Sequence, residues 1–201
     1  MLIIGLTGPT GAGKGTFSQI AVRAFGAEHI DTDKIARQVV EPGSAGLAAL
    51  VGYFGNGILR ADGSLDRKKL AAIVFSDRRK LAALNGITHP LVKKEVEKRL
   101  ADARERLCPF AVIDAPLLFE SGEDKLCDVT VGILADEQTR LLRILARDGI
   151  DREAAEKRLS AAKSNEYFRE RCGYILENDS DQATFEAQIR RFFEALSEQN
   201  L

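Results

Sequence analysis

The chain has few of the residues that build cysteine or histidine sites. Its 201 residues include three cysteines, Cys108, Cys127 and Cys172, and two histidines, His29 and His89. The cysteines are odd in number, widely spaced and free of any CxxC pair, so neither a disulfide framework nor a zinc site is supported. Two histidines also argue against a metal site built from several of them.

Long apolar runs and an excess of charge of one sign are missing too. The 29 Lys and Arg residues balance 30 Asp and Glu residues. This balance gives no global attraction to nucleic acid or membrane, so any cationic site must be local. The opening MLIIGLTG lacks the basic start and length of a signal peptide, and no stretch is long enough to span a bilayer. We therefore expect a cytoplasmic, monomeric protein.

Short apolar runs alternate with segments of helical periodicity along the chain. Leu2–Leu6 shows no polar alternation, which is typical of a strand buried on both faces. Two more apolar runs are Phe110–Ile113 and Val129–Leu134, and Tyr174–Leu176 is a candidate for a further short strand. The predicted helices are Thr16–Phe25, Arg67–Phe75, Arg78–Leu84, Pro90–Leu107, Glu137–Arg147, Arg152–Ala162 and Gln182–Leu196. This order predicts an α/β fold with a mostly parallel sheet and helices on both faces. We expect a single domain of residues 1–201, with an inserted helical lobe at about 34–107 and a second insertion at about 140–171.

A glycine-rich segment follows the first predicted strand. Gly8–Lys14 reads GPTGAGK and fits the G-x-x-x-x-G-K core of the Walker A loop, or P-loop. Glycines let backbone N–H groups turn onto phosphate oxygens, and the following helix adds its positive end. The predicted ATP-binding residues are Gly11, Ala12, Gly13, Lys14, Gly15 and Thr16. The alternatives are a turn that binds nothing, and a dinucleotide-binding loop, which would require a clean G-x-G-x-x-G.

The residues expected to hold Mg²⁺ depart from the common pattern. Gly15 stands where Ser or Thr normally follows the lysine, and Thr16 comes one place later; GKGT is similar to the same segment of adenylate kinases. Asp114 ends the Phe110–Ile113 run, and an apolar strand that ends in Asp is the Walker B pattern. We therefore predict Thr16 and Asp114 as the metal residues, although many strands end in Asp without binding metal.

Two further sets of charged residues are candidates for catalysis. Asp33 follows the short run Glu28–Ile30, where it would either orient an attacking hydroxyl and accept its proton or cap the next helix. Three arginines, Arg140, Arg143 and Arg147, share one helix face. They form either a lid that closes over ATP or a solvated face paired with neighbouring carboxylates, those of Asp136, Glu137 or Asp148.

Several segments, taken together, resemble dephospho-CoA kinases over nearly the whole chain. They are IGLTG at Ile4–Gly8, DTDKIARQVVEPGSAGL at Asp31–Leu47, GSLDRKKLAAIVFSD at Gly63–Asp77, ITHPLV at Ile87–Val92, DAPLLFESG at Asp114–Gly122 and ARDG at Ala146–Gly149. The Walker loop is generic, whereas the DTDKIARQVVEPG, LDR, HPLV and DxPLLFE segments are far more specific and occur in the family's order. This chain departs from the family at Gly15, at Ala161-Ala162 in place of a Ser-Gln pair, and at Tyr174–Ser180 in place of a DVIDNSG variant.

The resemblance implies a P-loop core with a five-stranded parallel sheet, a helical substrate lobe and a mobile lid. It implies ATP and Mg²⁺ as cofactors, and transfer of phosphate to the 3′-hydroxyl of dephospho-CoA. Asp33 would be the base, Lys14, Arg143 and Arg147 would stabilise the transferring phosphoryl group, and Asn178 would lie near the adenine. The acceptor pocket would be lined by Arg37, His89, Pro90, Leu117, Leu118, Phe119 and Glu120. For Leu117–Phe119 the alternative is core packing, and for His89 it is a helix-entry position before Pro90.

Two other functions remain open from the sequence. GKGT suggests a nucleoside-monophosphate kinase, although the HPLV and DAPLLFE segments fit a different acceptor. The altered lid and metal positions suggest a nucleotide-binding regulatory protein without transfer activity. Activity on AMP would favour the first alternative, and ATP binding without ADP release would favour the second.

Overall fold

The computed structural model describes residues 1–199 as an α/β structure. Its strands are β1 (Leu2–Thr7), β2 (Glu28–Asp31), β3 (Phe110–Asp114), β4 (Val129–Leu134) and β5 (Tyr174–Glu177). Its helices are α1 (Lys14–Phe25), α2 (Thr32–Gln38), α3 (Ala45–Phe54), α4 (Arg67–Phe75), α5 (Arg78–Glu105), α6 (Leu118–Ser121), α7 (Glu137–Asp148), α8 (Arg152–Ser160), α9 (Asn165–Arg169) and α10 (Gln182–Gln199). Single 3₁₀ turns lie at Asn56–Ile58 and Glu123–Leu126.

The five strands form one sheet in the order β2-β3-β1-β4-β5. β1 pairs in parallel with both β3 and β4, and β4 pairs in parallel with β5. The central strands are buried on both faces, which explains why their sequences are continuous apolar runs. The predicted five-stranded parallel sheet flanked by helices is confirmed.

One face of the sheet is covered by α1 and α10, which also pack against each other. Their contact is aromatic: the Phe17 ring of α1 lies 5.4 Å from Phe193 and 5.8 Å from Phe192, measured between ring centroids. Phe25 stacks on Phe193 at 4.5 Å. Such pairs add to the stabilisation from apolar burial, and here they fix α1 against the sheet. The position of α1 matters because the glycine-rich loop leads into it.

The chain divides into two compact units. The first contains residues 1–30 and the chain from residue 103 onward, and the second spans Asp31–Asp102. The second unit is helical and has a core of its own, with the buried residues Val40, Leu47, Leu50, Ile58, Leu65, Leu70 and Val74. A cavity of about 270 Å³ opens beside this core and is lined largely by apolar side chains, together with Arg67, Asn85 and Thr88.

The predicted helix break before Pro90 is wrong. α5 runs for 28 residues with Pro90 inside it. Proline removes one backbone donor from a helix interior, but the helix continues because one face stays buried beyond it. The buried residues on that face are Val92, Val96, Leu100 and Ala103. His89 therefore lies within α5 and not at a helix entry.

The segment after β4 also has a small core. Leu141 and Ile144 of α7 pack with Ala155 and Leu159 of α8. The three cysteines are free, and burial raises the pKa of Cys127 to about 12. No helix within residues 1–199 is long and apolar enough to cross a membrane.

Candidate active site

The loop between β1 and α1 is shaped by three glycines with positive φ. Gly8, Gly11 and Gly13 have φ values of 139°, 80° and 113°. A Cβ at Gly8 would lie 2.2 Å from the carbonyl oxygen of Ile133, and one at Gly13 would lie 2.2 Å from Asn178 Nδ2. Larger residues are therefore excluded by conformation and by contact. The loop backbone packs closely against the end of β4 and against Asn178, the residue that follows β5.

The N-terminus of α1 faces into this loop without a side-chain cap. Its N-cap residue is Gly13, which makes no side-chain hydrogen bond to the first turn. The N-terminal N–H groups of a helix and its positive dipole end favour an anion. Lys14 Nζ donates to the carbonyl oxygens of Gly8, at 2.7 Å, and Pro9, at 3.3 Å, which holds the ammonium group inside the loop. Together these groups form a cradle of donors whose chemistry suits a phosphate group.

Gly15 and Thr16, the two residues that follow Lys14 in α1, differ in their surroundings. Gly15 has an ordinary helical φ, and a Cβ there would have nothing within 4 Å. Nothing in the described structure therefore requires glycine at this position. Thr16 lies in the first turn of α1, is half-buried, and donates its backbone N–H to Gly13.

Asn178 and Arg143 converge on the loop from distant parts of the chain. The Ala12 carbonyl oxygen accepts from Asn178 Nδ2 at 2.7 Å and lies 3.5 Å from Arg143 Nη1. Arg143 Nη2 also donates to Asn178 Oδ1 at 3.3 Å. Asn178 is 5% exposed, and its backbone N–H donates to Leu134. Asn178 thus supports the loop backbone, while its contact with adenine stays a prediction.

The three arginines of α7 lie in different environments. Arg140 is buried, Arg143 is half-buried and Arg147 is largely exposed. Arg147 forms a two-bond ion pair with Asp148, and Arg158 contacts the same carboxylate. The hydrogen bond between them raises the pKa of Arg147 and lowers that of Asp148. For Arg147 the structure therefore shows the carboxylate pairing that was the alternative to a lid contact.

Asp114 lies at the carboxyl end of β3, next to the strand that leads into the loop. It is in register with Leu6 of β1, and His29 Nε2 lies 3.5 Å from Asp114 Oδ2. That distance is long for a hydrogen bond, and His29 Nε2 makes none within residues 1–199. No group of three or more acidic, histidine or cysteine side chains within residues 1–199 could hold a metal ion. Mg²⁺ commonly binds through one or two carboxylates with substrate phosphates, and a lone Asp beside a phosphate loop fits that chemistry.

Asp33 lies in the first turn of α2, directly after β2. The helix cap is Asp31, whose Oδ1 accepts from the Lys34 N–H at 2.9 Å. The capping role considered for Asp33 is therefore filled by another residue. Asp33 is exposed, and Arg37 lies four positions later on the same exposed face of the helix.

The other predicted acceptor residues fall into two groups. His89 and Pro90 are exposed on α5 in the second unit. In the first unit, Leu118 is fully buried, and a Cβ at Gly5 would lie 2.9 Å from it. The packing alternative therefore fits Leu118. Acceptor contact stays a prediction for Leu117 and Glu120, which are exposed, and for half-buried Phe119, whose ring lies 6.4 Å from Tyr167.

Sequence reasoning did not assign His29 to the site, and it named Arg140 only as one of three arginines that form either a lid over ATP or a solvated face. His29 is brought to Asp114 by the pairing order of the sheet, for which the sequence carries no local signal. Arg140 belongs to the three-arginine face, and its burial distinguishes it from the other two. Buried helix positions are usually apolar, and arginine is rarely fully buried unless it has a partner. An arginine at a position of α7 that faces the protein interior is therefore the signal that could have marked Arg140 in the sequence.

The sheet, the glycine cradle and the uncapped helix define a P-loop phosphotransferase. The chain belongs to the dephospho-CoA kinase family, whose model matches residues 2–184. A dephospho-CoA kinase of Geobacter sulfurreducens is 39% identical over 193 residues, which cover 96% of this chain and 98% of that relative.

Solved structures are similar over nearly the full length. TT1252 from Thermus thermophilus has a TM-score of 0.82 and 30% identity, and the match covers 98% of this chain and 97% of that one. A dephospho-CoA kinase from Campylobacter jejuni has a TM-score of 0.72 and 27% identity, with 99% and 98% covered.

Proposed function

We propose that this protein transfers the γ-phosphoryl group of ATP to the 3′-hydroxyl of dephospho-CoA, which gives coenzyme A and ADP, the last step of CoA synthesis. The observation that carries the proposal is an intact phosphate cradle in a chain that matches the dephospho-CoA kinase family along 2–184. We also infer that it works as a cytoplasmic monomer, which gel filtration of the purified protein would test.

The cradle would bind the phosphates of ATP through backbone and lysine donors. The uncapped N-terminus of α1 offers N–H groups, and Lys14 would exchange its bonds to Gly8 and Pro9 for phosphate oxygens. Arg143 is held beside the loop by Ala12 and Asn178. Fixed donors of this kind stabilise the charge that spreads over the transferring phosphoryl group.

Asp33 is the group proposed to act on the acceptor. It is exposed at the start of α2, directly after the edge strand β2, and it does not cap that helix. A carboxylate there would orient the 3′-hydroxyl and accept its proton as the phosphoryl group arrives. The exposed side chain of Arg37 on the same helix face would bind an anionic part of the acceptor.

Mg²⁺ would be held by Asp114 and Thr16 together with the phosphates of ATP. When bound, it neutralises phosphate charge and keeps the triphosphate in the orientation for in-line transfer. Because Gly15 supplies no hydroxyl, Asp114 carries more of the protein's share of this binding.

The arginines of α7 and the following segment are proposed to close over bound ATP. Arg143 and Arg147 would act as lid residues, with Arg147 leaving its pair with Asp148 for the nucleotide. Closure would keep out water, which otherwise competes with the acceptor for the phosphoryl group.

The test is ADP release from MgATP with dephospho-CoA, with AMP and with no acceptor. We expect release with dephospho-CoA alone. Release with AMP would identify a nucleoside-monophosphate kinase, and ATP binding without release would identify a nucleotide-binding protein that transfers nothing. A Lys14→Ala variant should lose both ATP affinity and rate, and an unaffected variant would remove the loop from the proposal.

A further inference from the structure

Arg140 is buried beside the phosphate loop and has donors without partners. Its side chain belongs to a residue that is only 6% exposed. Within residues 1–199, its Nε and Nη1 atoms are inaccessible to solvent and make no hydrogen bond. Leaving these two donors in that state is costly, because burial removes their water and no protein acceptor within residues 1–199 replaces it.

The position of Arg140 connects it to the loop. A Cβ placed on Gly11 would lie 2.9 Å from the Arg140 carbonyl oxygen and 3.2 Å from its Cα and Cβ. The arginine side chain therefore starts directly against the glycine loop. Close packing at this point is one reason why position 11 requires glycine, in addition to its φ of 80°.

Two carboxylates close to Arg140 in sequence are engaged elsewhere. Asp136, one turn before Arg140, accepts from the Thr139 N–H at 2.8 Å and from the Thr139 hydroxyl at 2.5 Å. Asp148, at the end of α7, is bonded to Arg147. No ion pair to Arg140 occurs among residues 1–199. The next arginine on the same face, Arg143, is bonded to neutral oxygens.

These observations describe a cationic site in which two donors of Arg140 lack hydrogen-bond partners. The uncapped end of α1, Lys14, Arg143 and Arg140 all lie along one loop. The partners of Arg143 there are neutral carbonyl and amide oxygens, and Arg140 Nε and Nη1 have none within residues 1–199. An anion with several oxygens would satisfy the remaining donors. A buried polar group that lacks a partner in the free protein is commonly explained by a functional ligand.

We propose that Arg140 is a nucleotide-binding residue whose guanidinium group, buried in the free protein, turns toward the loop when ATP binds and donates from Nε and Nη1 to its phosphate oxygens. This inference rests on the proposed ATP site and adds a residue to it. The cost of burying the guanidinium in the free protein is recovered when the nucleotide binds. Arg140 thereby differs from Arg147, which has a carboxylate partner in the free protein.

The proposal predicts opposite effects on stability and on binding. Arg140→Met keeps an unbranched side chain and removes the unsatisfied donors, so the thermal midpoint of the free protein should stay the same or rise. ATP affinity should fall about 10- to 100-fold, the range for losing charge-assisted hydrogen bonds. Arg140→Gln, which keeps polarity without charge, should weaken ATP binding similarly. The control is Arg190→Met, because Arg190 pairs with Glu186 on the exposed side of α10.

Calorimetry with ATP and with inorganic tripolyphosphate would measure these effects. Both ligands should weaken by similar factors in the Arg140 variants and bind normally to Arg190→Met. The proposal would be overturned if the Arg140 variants bound ATP within twofold of the parent. It would also be overturned if their loss of affinity came with a fall of several degrees in thermal midpoint, because Arg140 would then be a structural residue. A loss confined to ATP would contradict the phosphate contact. If the parent protein itself bound no ATP, the proposed function would fail, and not this inference alone.

Discussion

Replacing glycine by alanine at two nearby loop positions should have opposite effects. Gly13 has a φ of 113°, and a Cβ there would lie 2.2 Å from Asn178 Nδ2. Gly15 is helical, and a Cβ there would meet nothing within 4 Å. The same chemical change is therefore a severe perturbation at one position and a mild one at the other. The pair is its own matched control.

The magnitudes follow from the contacts. An alanine forced into the left-handed region costs about 1–2 kcal/mol. Moving the Asn178 amide breaks its 2.7 Å bond to the Ala12 carbonyl, and leaving a buried polar group unpaired costs about 1–3 kcal/mol. Gly13→Ala should therefore lose roughly 2–5 kcal/mol of the free energy of unfolding. Gly15→Ala should gain about 0.5–1 kcal/mol, because glycine is a poor residue inside a helix.

Urea denaturation of the two variants and the parent would measure both values. ATP titration should also show weaker binding to Gly13→Ala, because the shifted loop moves the N-terminus of α1 away from the phosphates. Equal stability of the two variants would refute the reasoning, since it would mean that the Asn178 contact and the positive φ at Gly13 carry no energy.

Three further predictions concern carboxylates. Asp33→Asn should lower kcat by at least about 100-fold with little change in ATP affinity, while Asp31→Asn, which still caps α2, should keep normal turnover in the same steady-state assay. Asp114→Asn should raise the Mg²⁺ concentration for half-maximal rate several-fold, seen in a magnesium titration, and an unchanged requirement would remove it as a ligand. Burial raises the pKa of Glu123 to about 7 from 4.5, so its ionisation disfavours the folded state and stability should fall as pH rises from about 4.5 through 7. In urea titrations, Glu123→Gln should therefore raise the free energy of unfolding by roughly 2–3 kcal/mol at pH 8 and hardly at all at pH 4. An equal effect at both pH values would contradict the explanation that burial of the ionised carboxylate destabilises the protein.

The fold was predictable wherever the sequence signal is local. β1 and β4 are continuous apolar runs, and Gly8–Lys14 marks the loop by spacing alone. The break expected at Pro90 was wrong because burial of one face of α5 outweighs the loss of a single backbone hydrogen bond. Tertiary packing of this kind leaves no signature in the residues next to the proline.

The site was predictable only in part, because its supporting contacts join distant residues. The bonds from Asn178 and Arg143 to Ala12 span 166 and 131 positions. The arginine face of α7 was visible from its spacing. That one of its members is buried, another bonded to the loop and the third paired with Asp148 depends on how α7 lies against the rest of the first unit.

The most direct test of the central claim is the position of the phosphate in the product. Purified protein would be incubated with MgATP and dephospho-CoA, and the product would be identified by mass spectrometry and phosphorus NMR. The account predicts one ADP for each new 3′-phosphomonoester and a product identical to coenzyme A. A phosphate on another hydroxyl, or ADP accompanied only by inorganic phosphate, would contradict it.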